Sequence, residues 1–233
     1  DRQLMLSAIP PSWVTSGTTV LLRQVNEGNA DVDAGGRGTL ASHLSGEGPW
    51  AAGFEADPDD ENRNLSAAEM LWPVQVDAVN GQVLTLHQPL RFDVRDVWQP
   101  TLRRLQRVVE DSGVESLTLE MARTEEYVRF GPAHNHEPGW NGVFFDNAIH
   151  CFARELDVLG TDGIAVGMRS AKNVTVTDVI VDAPDRATAG SASKLATQHH
   201  AFATMQHSND NLFENFDIRS KPTHGLNIEG FSC

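Results

Sequence analysis

One short pattern of small and apolar residues occurs four times in the second half of the chain, written in different letters each time. The copies begin at Gly142 (GVFFDNAIH), Gly163 (GIAVGMRSAKN), Ala201 (AFATMQHSNDN) and Gly225 (GLNIEGFSC). Their spacing fits a repeat of about 20–25 residues that is expanded once, by a small-residue insertion at 182–198. Repetition of this kind is typical of folds in which similar units stack on one another.

Short strands that recur without helices between them can bury their apolar side chains only by stacking. Aligned on their first residues, the copies place Val143, Ile164, Phe202 and Leu226 in one column, and a second strand follows each complete copy. Side chains alternate between the two faces of a strand, and stacked strands lie about 4.8 Å apart, so this column becomes one interior ladder. The sequence therefore predicts an all-β chain whose second part, 96–233, is a right-handed parallel β-helix.

Residues 1–95 do not show the repeat, and their strand-like segments predict a small β subdomain. The segment 18–24 has strand composition, and two further strand-like segments flank Asn80-Gly81, a strong hairpin signal. A long acidic, glycine-rich loop at 26–69 separates the segment 18–24 from these two segments. The segment 98–113 fits either a helix or a strand that leads into the repeats, and we favour the strand.

The composition excludes several classes of partner. The formal net charge is −14, which argues against a nucleic-acid-binding surface, since that surface needs a basic stripe. The chain has no run of about eighteen apolar residues, so we expect no membrane span. Two cysteines exclude a disulfide-rich scaffold without identifying a compartment.

The strand segments NVTVTDVIVD (173–182) and NDNLFENFDI (209–218), each with asparagine at its turn, resemble pectate-lyase-like right-handed parallel β-helix proteins. The resemblance covers roughly residues 105–233 and implies the architecture, a polysaccharide or oligosaccharide ligand, and a secreted or cell-surface location. Members of that superfamily include polysaccharide lyases, glycoside hydrolases, epimerases and viral tailspikes. Because the repeats are few, we expect further C-terminal coils or a neighbouring subunit to cover the last one.

Strand alternation predicts an outward face with a shallow trough suited to a sugar ring. Small residues form its centre, and polar side chains border it: Asp146, Arg169, His207, Asn227 and Glu229. An ordinary solvated sheet face has the same mixture of residues, so this alternative stays open.

A second polar column immediately precedes the four copies and contains Asn141, Asp162, His200 and His224. A carboxylate beside an imidazole orients the ring and raises its basicity, which suits general acid–base catalysis. Buried, hydrogen-bonded polar side chains are the alternative. The two histidines of HNH (134–136) are too few for a zinc site, and no metal ligands are assigned.

These residues favour a polysaccharide lyase that performs β-elimination at a uronate. Arg169, with Lys172 or with Ca²⁺ held by acidic residues, would neutralise the carboxylate. His200 or His207 would take the α-proton, and His224 would assist proton delivery. One alternative is a glycoside hydrolase that uses a carboxylate pair from Asp146, Asp162 and Glu229. The other is a non-catalytic carbohydrate-binding or structural β-helix of the tailspike or adhesin kind.

Overall fold

The computed structural model describes residues 2–25, 40, 69–122, 140–183, 197–205 and 207–228, and they are mostly β. The chain forms two compact units, Asp1–Gln106 and Arg107–Cys233. The sequence predicted a division between residues 95 and 96. The observed division comes later because the strand Thr101–Arg104 pairs with Thr19–Val25 inside the first unit.

The first unit is built on an antiparallel sheet. Its strands are β1 (Gln3–Met5), β2 (Thr19–Val25), β3 (Glu69–Asn80), β4 (Val83–Leu86) and β5 (Thr101–Arg104), in the order β1-β4-β3-β2-β5. The predicted hairpin is confirmed, because Asn80 pairs with Val83 across a turn in which Gly81 has a φ of 59°. Alternate residues of β2 are buried, including Val20 and Leu22, so its apolar face closes the core of this unit. Most of the predicted loop 26–69 lies outside the described residues.

The second unit is built from parallel strands. They are β6 (Val109–Glu110), β7 (Gly113–Glu120), β8 (Val143–Asp146), β9 (Ala148–Ile149), β10 (Phe152–Leu159), β11 (Ile164–Arg169), β12 (Thr175–Asp182), β13 (Gln198–Met205), β14 (Leu212–Ile218) and β15 (Pro222–Ile228). Sheet A has the order β14-β12-β10-β7, and sheet B has the order β15-β13-β11-β8. A narrow third sheet joins β6 and β9, and single bridges extend it to Lys172 and Asn209. Successive stretches of chain therefore visit the narrow sheet, sheet A and sheet B in a repeating order.

The segment 98–113 contains β5, β6 and the first residue of β7, and its only helical residue is Trp98, the last of a 3-10 turn at Asp96–Trp98. The favoured strand interpretation therefore holds for these strands, and the helix alternative does not. The turn buries Trp98 in the core of the first unit.

The register of sheet B differs from the sequence-based alignment at one strand. Val166, and not Ile164, lies between Val143 and Phe202, and Phe202 in turn lies opposite Leu226. The slip is two residues, so the side chains assigned to each face keep their parity. Val166 and Phe202 are fully buried in the core between sheets A and B, where Val143 packs against them.

A column of small residues explains why the four copies share a frame. The register places Gly142, Ala165, Ala201 and Gly225 opposite one another. A methyl group on Gly142 would lie 2.8 Å from Cγ1 of Val158 and would also strike the main-chain oxygen of Ala165. Sheets A and B approach each other closely at this column, and only a small residue fits there.

We therefore expect Gly142→Ala to destabilise the second unit by about 1–3 kcal/mol, the usual cost of overpacking. Gly225→Ala is the matched control in the same column, because its methyl group would meet only Cδ1 of Ile218 at an ordinary 3.4 Å. Thermal unfolding followed by circular dichroism measures both. Equal melting temperatures for the two variants would contradict the close approach at Gly142.

Left-handed backbone conformations also recur at fixed positions of each repeat. One column lies within the strands of sheet A and bends each of them in the same place without a shift of register: Ser116, Glu155, Asp178 and Asn215, with φ between 50° and 55°. A second column follows the narrow sheet: Asp111, His150, Asn173 and Asp210, with φ between 50° and 55°. Asn, Asp and His are among the residues that adopt this conformation most readily.

The sequence also aligns Asn173 with Asn211, because each follows a serine of its copy by three residues, and the structure corrects this by one residue. The Lys172–Asn209 bridge places Asn173 opposite Asp210. The side chain of Asn211 instead accepts a hydrogen bond from the amide of Val174 at 2.9 Å and donates to the carbonyl of Ala171 at 3.2 Å. It therefore ties one repeat to the preceding one.

Candidate functional site

The predicted site residues lie in two groups at opposite ends of the strands of sheet B. His200 lies opposite Ile164 and His224, whereas Asp146 and Arg169 align with Met205. Five residues of extended strand separate His200 from Met205, a distance of about 16 Å at about 3.3 Å per residue. The sequence placed Arg169 in one site with these histidines, and the structure separates them.

The first group is a cluster of three imidazoles, His199, His200 and His224. The ring centroids of His200 and His224 are 5.0 Å apart, and that of His199 is 3.8 Å from His200 in a stacked arrangement. The close pair follows from the register, because His200 and His224 are directly opposite in neighbouring parallel strands. His200 is 4% exposed, and His224 is exposed on the outermost described strand of sheet B.

Asn227 joins this cluster from the outermost described strand of sheet B. Its Nδ2 lies 3.5 Å from Nε2 of His200. The sequence assigned Asn227 to substrate binding, and the structure places it within reach of a buried imidazole.

Asp162 is close to the cluster in the chain, but its ladder position is two residues from the one predicted. Its main-chain oxygen accepts a hydrogen bond from the amide of His199 at 2.9 Å, and the register places Asp162 opposite Gln198 instead of His200. The side chain is fully buried. The predicted column of Asp162, His200 and His224 therefore reduces to the two histidines.

The second group is an ion pair between Asp146 and Arg169. The guanidinium of Arg169 donates to both carboxylate oxygens of Asp146, with Nε–Oδ1 at 3.2 Å. The side chains are 47% and 42% exposed for Arg169 and Asp146. The hydrogen bond to Asp146 raises the pKa of Arg169 above its usual value, and burial opposes this. Arg169 is therefore already paired with a carboxylate of its own chain.

Lys172, predicted to bind substrate, is 2% exposed and turned into the protein. Its ammonium donates to Oδ1 of Asn209 at 2.9 Å and forms an ion pair with Asp210. The site assigned to Lys172 is corrected on this ground, because a buried and paired ammonium does not meet a surface ligand.

The predicted open trough is closed at its centre. Ala165 and Ala203 are fully buried, and a methyl group on Gly167 would lie 2.7 Å from the ring of Phe144. His207 lies in the turn after β13 with a φ of 63°, opposite Ser170 in the repeat. Glu229, the HNH segment and most of the insertion 182–198 lie outside the described residues.

Two arrangements were not anticipated from the sequence. No role was predicted for His199, although two adjacent histidines in one strand were the visible signal for the cluster. The buried Lys172–Asn209–Asp210 contact had no local signal, because its members are 37 and 38 residues apart.

Within the described part of the chain, no three or more His, Cys, Asp or Glu side chains are grouped to hold a metal ion. The same residues contain no helix long and apolar enough to cross a membrane. Comparison of the chain with protein-family models, with curated proteins and with solved structures found no match.

Proposed function

We propose that the second unit, Arg107–Cys233, is a right-handed parallel β-helix. Three parallel sheets visited in a repeating order support this, as do the columns of left-handed residues at fixed positions of each repeat. Right-handedness is the strong rule for connections between parallel strands.

We further propose that the protein is an extracellular polysaccharide-active enzyme, with lyase chemistry favoured. The observation that carries the proposal is the pair of imidazoles in neighbouring strands, an exposed His224 and a buried His200, with ring centroids 5.0 Å apart. In this mechanism His224 takes the α-proton of a uronate, and His200 positions it.

The separation of Asp146 and Asp162 disfavours a hydrolase that uses this pair, and Glu229 lies outside the described residues. Asp162 precedes the ladder position of Asp146 by seven residues of sheet B, about 23 Å at about 3.3 Å per residue. A glycoside hydrolase needs its two carboxylates about 5–9.5 Å apart. Asp146 is also held by Arg169, and Asp162 is fully buried.

A non-catalytic carbohydrate-binding or structural role is the second candidate. The observation that favours it is the closed centre of sheet B. Ala165 and Ala203 are fully buried there, so a sugar cannot contact them.

Incubation with a panel of polysaccharides, with and without a chelator, tests the proposal. A lyase releases unsaturated products that absorb in the ultraviolet, and a hydrolase releases reducing ends without that absorbance. Binding without either product supports the non-catalytic role. Loss of activity with chelator would show that Ca²⁺ contributes the charge neutralisation that Arg169 does not supply.

If a charged polysaccharide lies along sheet B, Asp146→Asn should tighten its binding severalfold, because the guanidinium of Arg169 is then free to meet an anionic group. The stability cost should stay below about 1 kcal/mol, as for exposed ion pairs. Asp217→Asn is the matched control, since it releases Arg219 from an equally exposed pair on sheet A. Titration calorimetry with a uronate polymer measures both. Equal tightening by both variants would indicate nonspecific attraction to the more positive chain.

A further inference from the structure

The contact among Lys172, Asn209 and Asp210 is not used by the proposed polysaccharide site. Lys172 is 2% exposed, Asn209 is fully buried, and the side chain of Asp210 is 8% exposed. Water therefore has little access to an amine, an amide and a carboxylate that touch one another. An amine next to an amide carbon and a proton carrier is a reactive set when hydrolysis cannot compete.

The geometry places the amine within reach of the amide carbon. Nζ of Lys172 lies 2.9 Å from Oδ1 of Asn209. Since a C=O bond is about 1.23 Å long, Cγ of Asn209 is at most about 4.1 Å from Nζ, close to the 3–3.5 Å of a near-attack arrangement. The backbone holds the two residues together, because they form a parallel bridge and the amide of Asn209 donates to the carbonyl of Ala171 at 2.9 Å.

We propose that Lys172 and Asn209 form an intramolecular isopeptide bond, with Asp210 as the proton carrier. The Lys172 ammonium gives one proton to the Asp210 carboxylate, and the neutral amine attacks Cγ of Asn209. The Nζ–Cγ bond forms, and a second amine proton passes through the carboxyl group to Nδ2. The Cγ–Nδ2 bond breaks, and ammonia leaves with the proton that Asp210 first took up. The reaction needs no oxidant or other reagent.

The bond would tie neighbouring repeats covalently. It joins residues 37 positions apart and closes a loop that includes β12, β13 and the insertion between them. A cross-link of this kind stabilises a fold chiefly by restricting the unfolded chain.

The intact mass of the purified full chain tests the proposal directly. We expect it to be lower than the sequence mass by one ammonia. Cyanogen bromide cleaves after Met168 and Met205, so Lys172 falls in fragment 169–205 and Asn209 in fragment 206–233. The two fragments should remain joined under reducing, denaturing conditions. A full sequence mass with separate fragments overturns the proposal.

Three variants assign the roles. Asn209→Asp should give the same linked product with loss of water instead of ammonia, whereas Asn209→Ala should keep its full mass. Asp210→Gly removes the proton carrier while tolerating the φ of 54° at that position, and it too should keep its full mass. Loss of water from the natural chain would move the bond to Asp210, and loss of ammonia from Asp210→Gly would remove Asp210 from the mechanism. Either result overturns the assignment even if another variant fails to fold.

Discussion

Replacement of Val166 by aspartate is expected to unfold the second unit. Val166 is fully buried in the core of sheets A and B, with Val143 and Phe202 on either side of it in the ladder. A carboxylate there loses its hydration among apolar neighbours, which costs several kcal/mol. Domain stability is about 5–15 kcal/mol in total, so the loss should remove cooperative unfolding of this unit in denaturant titrations.

Two further variants make this expectation specific to the observed register. Ile164→Asp should be milder, because residue 164 lies opposite His200, whose imidazole can pair with the new carboxylate. Val109→Asp should be nearly neutral, since Val109 is 50% exposed. If Ile164→Asp destabilises more than Val166→Asp, the ladder predicted from the sequence is right and the observed one is wrong.

The two-residue shift of register in β11 shows which features of a strand its sequence periodicity can predict. The segment Gly163-Ile164-Ala165-Val166 offers two small residues, and the column that requires a small residue accepts Ala165 as well as Gly163. The alternation of apolar residues has a period of two, so it cannot distinguish registers that differ by two. The neighbours predicted for β11 were therefore wrong, and Ala165, assigned to the outward face, belongs to the core cluster.

The same slip accounts for what was right and wrong in the polar column. His200 and His224 belong to two copies that were aligned correctly, and their imidazoles do lie together. Asp162 belongs to the copy that slipped, and the structure places it opposite Gln198.

Contacts between segments far apart in the chain could not be predicted, because local sequence patterns do not identify distant partners. The pairing of β5 with β2 joins segments about 80 residues apart, and so it moved the division between the units past residue 95. The burial of Lys172 depends on Asn209 and Asp210 in the next repeat. A lysine beside a strand is usually exposed, and only its specific partner makes burial tolerable.

Among the proposed substitutions, replacement of His224 is expected to have the largest effect on turnover. If the exposed imidazole takes the α-proton, His224→Gln should lower kcat by about 10²-fold or more, the usual scale of general acid–base catalysis. Its melting temperature should stay close to that of the natural chain, because the side chain is exposed. His87→Ala is the matched control, a histidine whose side chain is 61% exposed in the first unit, and it should leave both quantities unchanged.

His200→Ala separates a positioning role from a purely structural one. His200 is 4% exposed and within 3.5 Å of Asn227, so its loss should lower the melting temperature as well as kcat. If His200 positions His224, the kcat of the folded fraction should fall while KM changes little, because the general base is then held in the wrong place for a substrate that still binds. A lower melting temperature with unchanged kcat and KM of the folded fraction would make His200 structural. Unchanged turnover in His224→Gln would remove the imidazole pair from catalysis and favour the non-catalytic carbohydrate-binding role, because Asp146 and Asp162 lie too far apart to act as a carboxylate pair in its place.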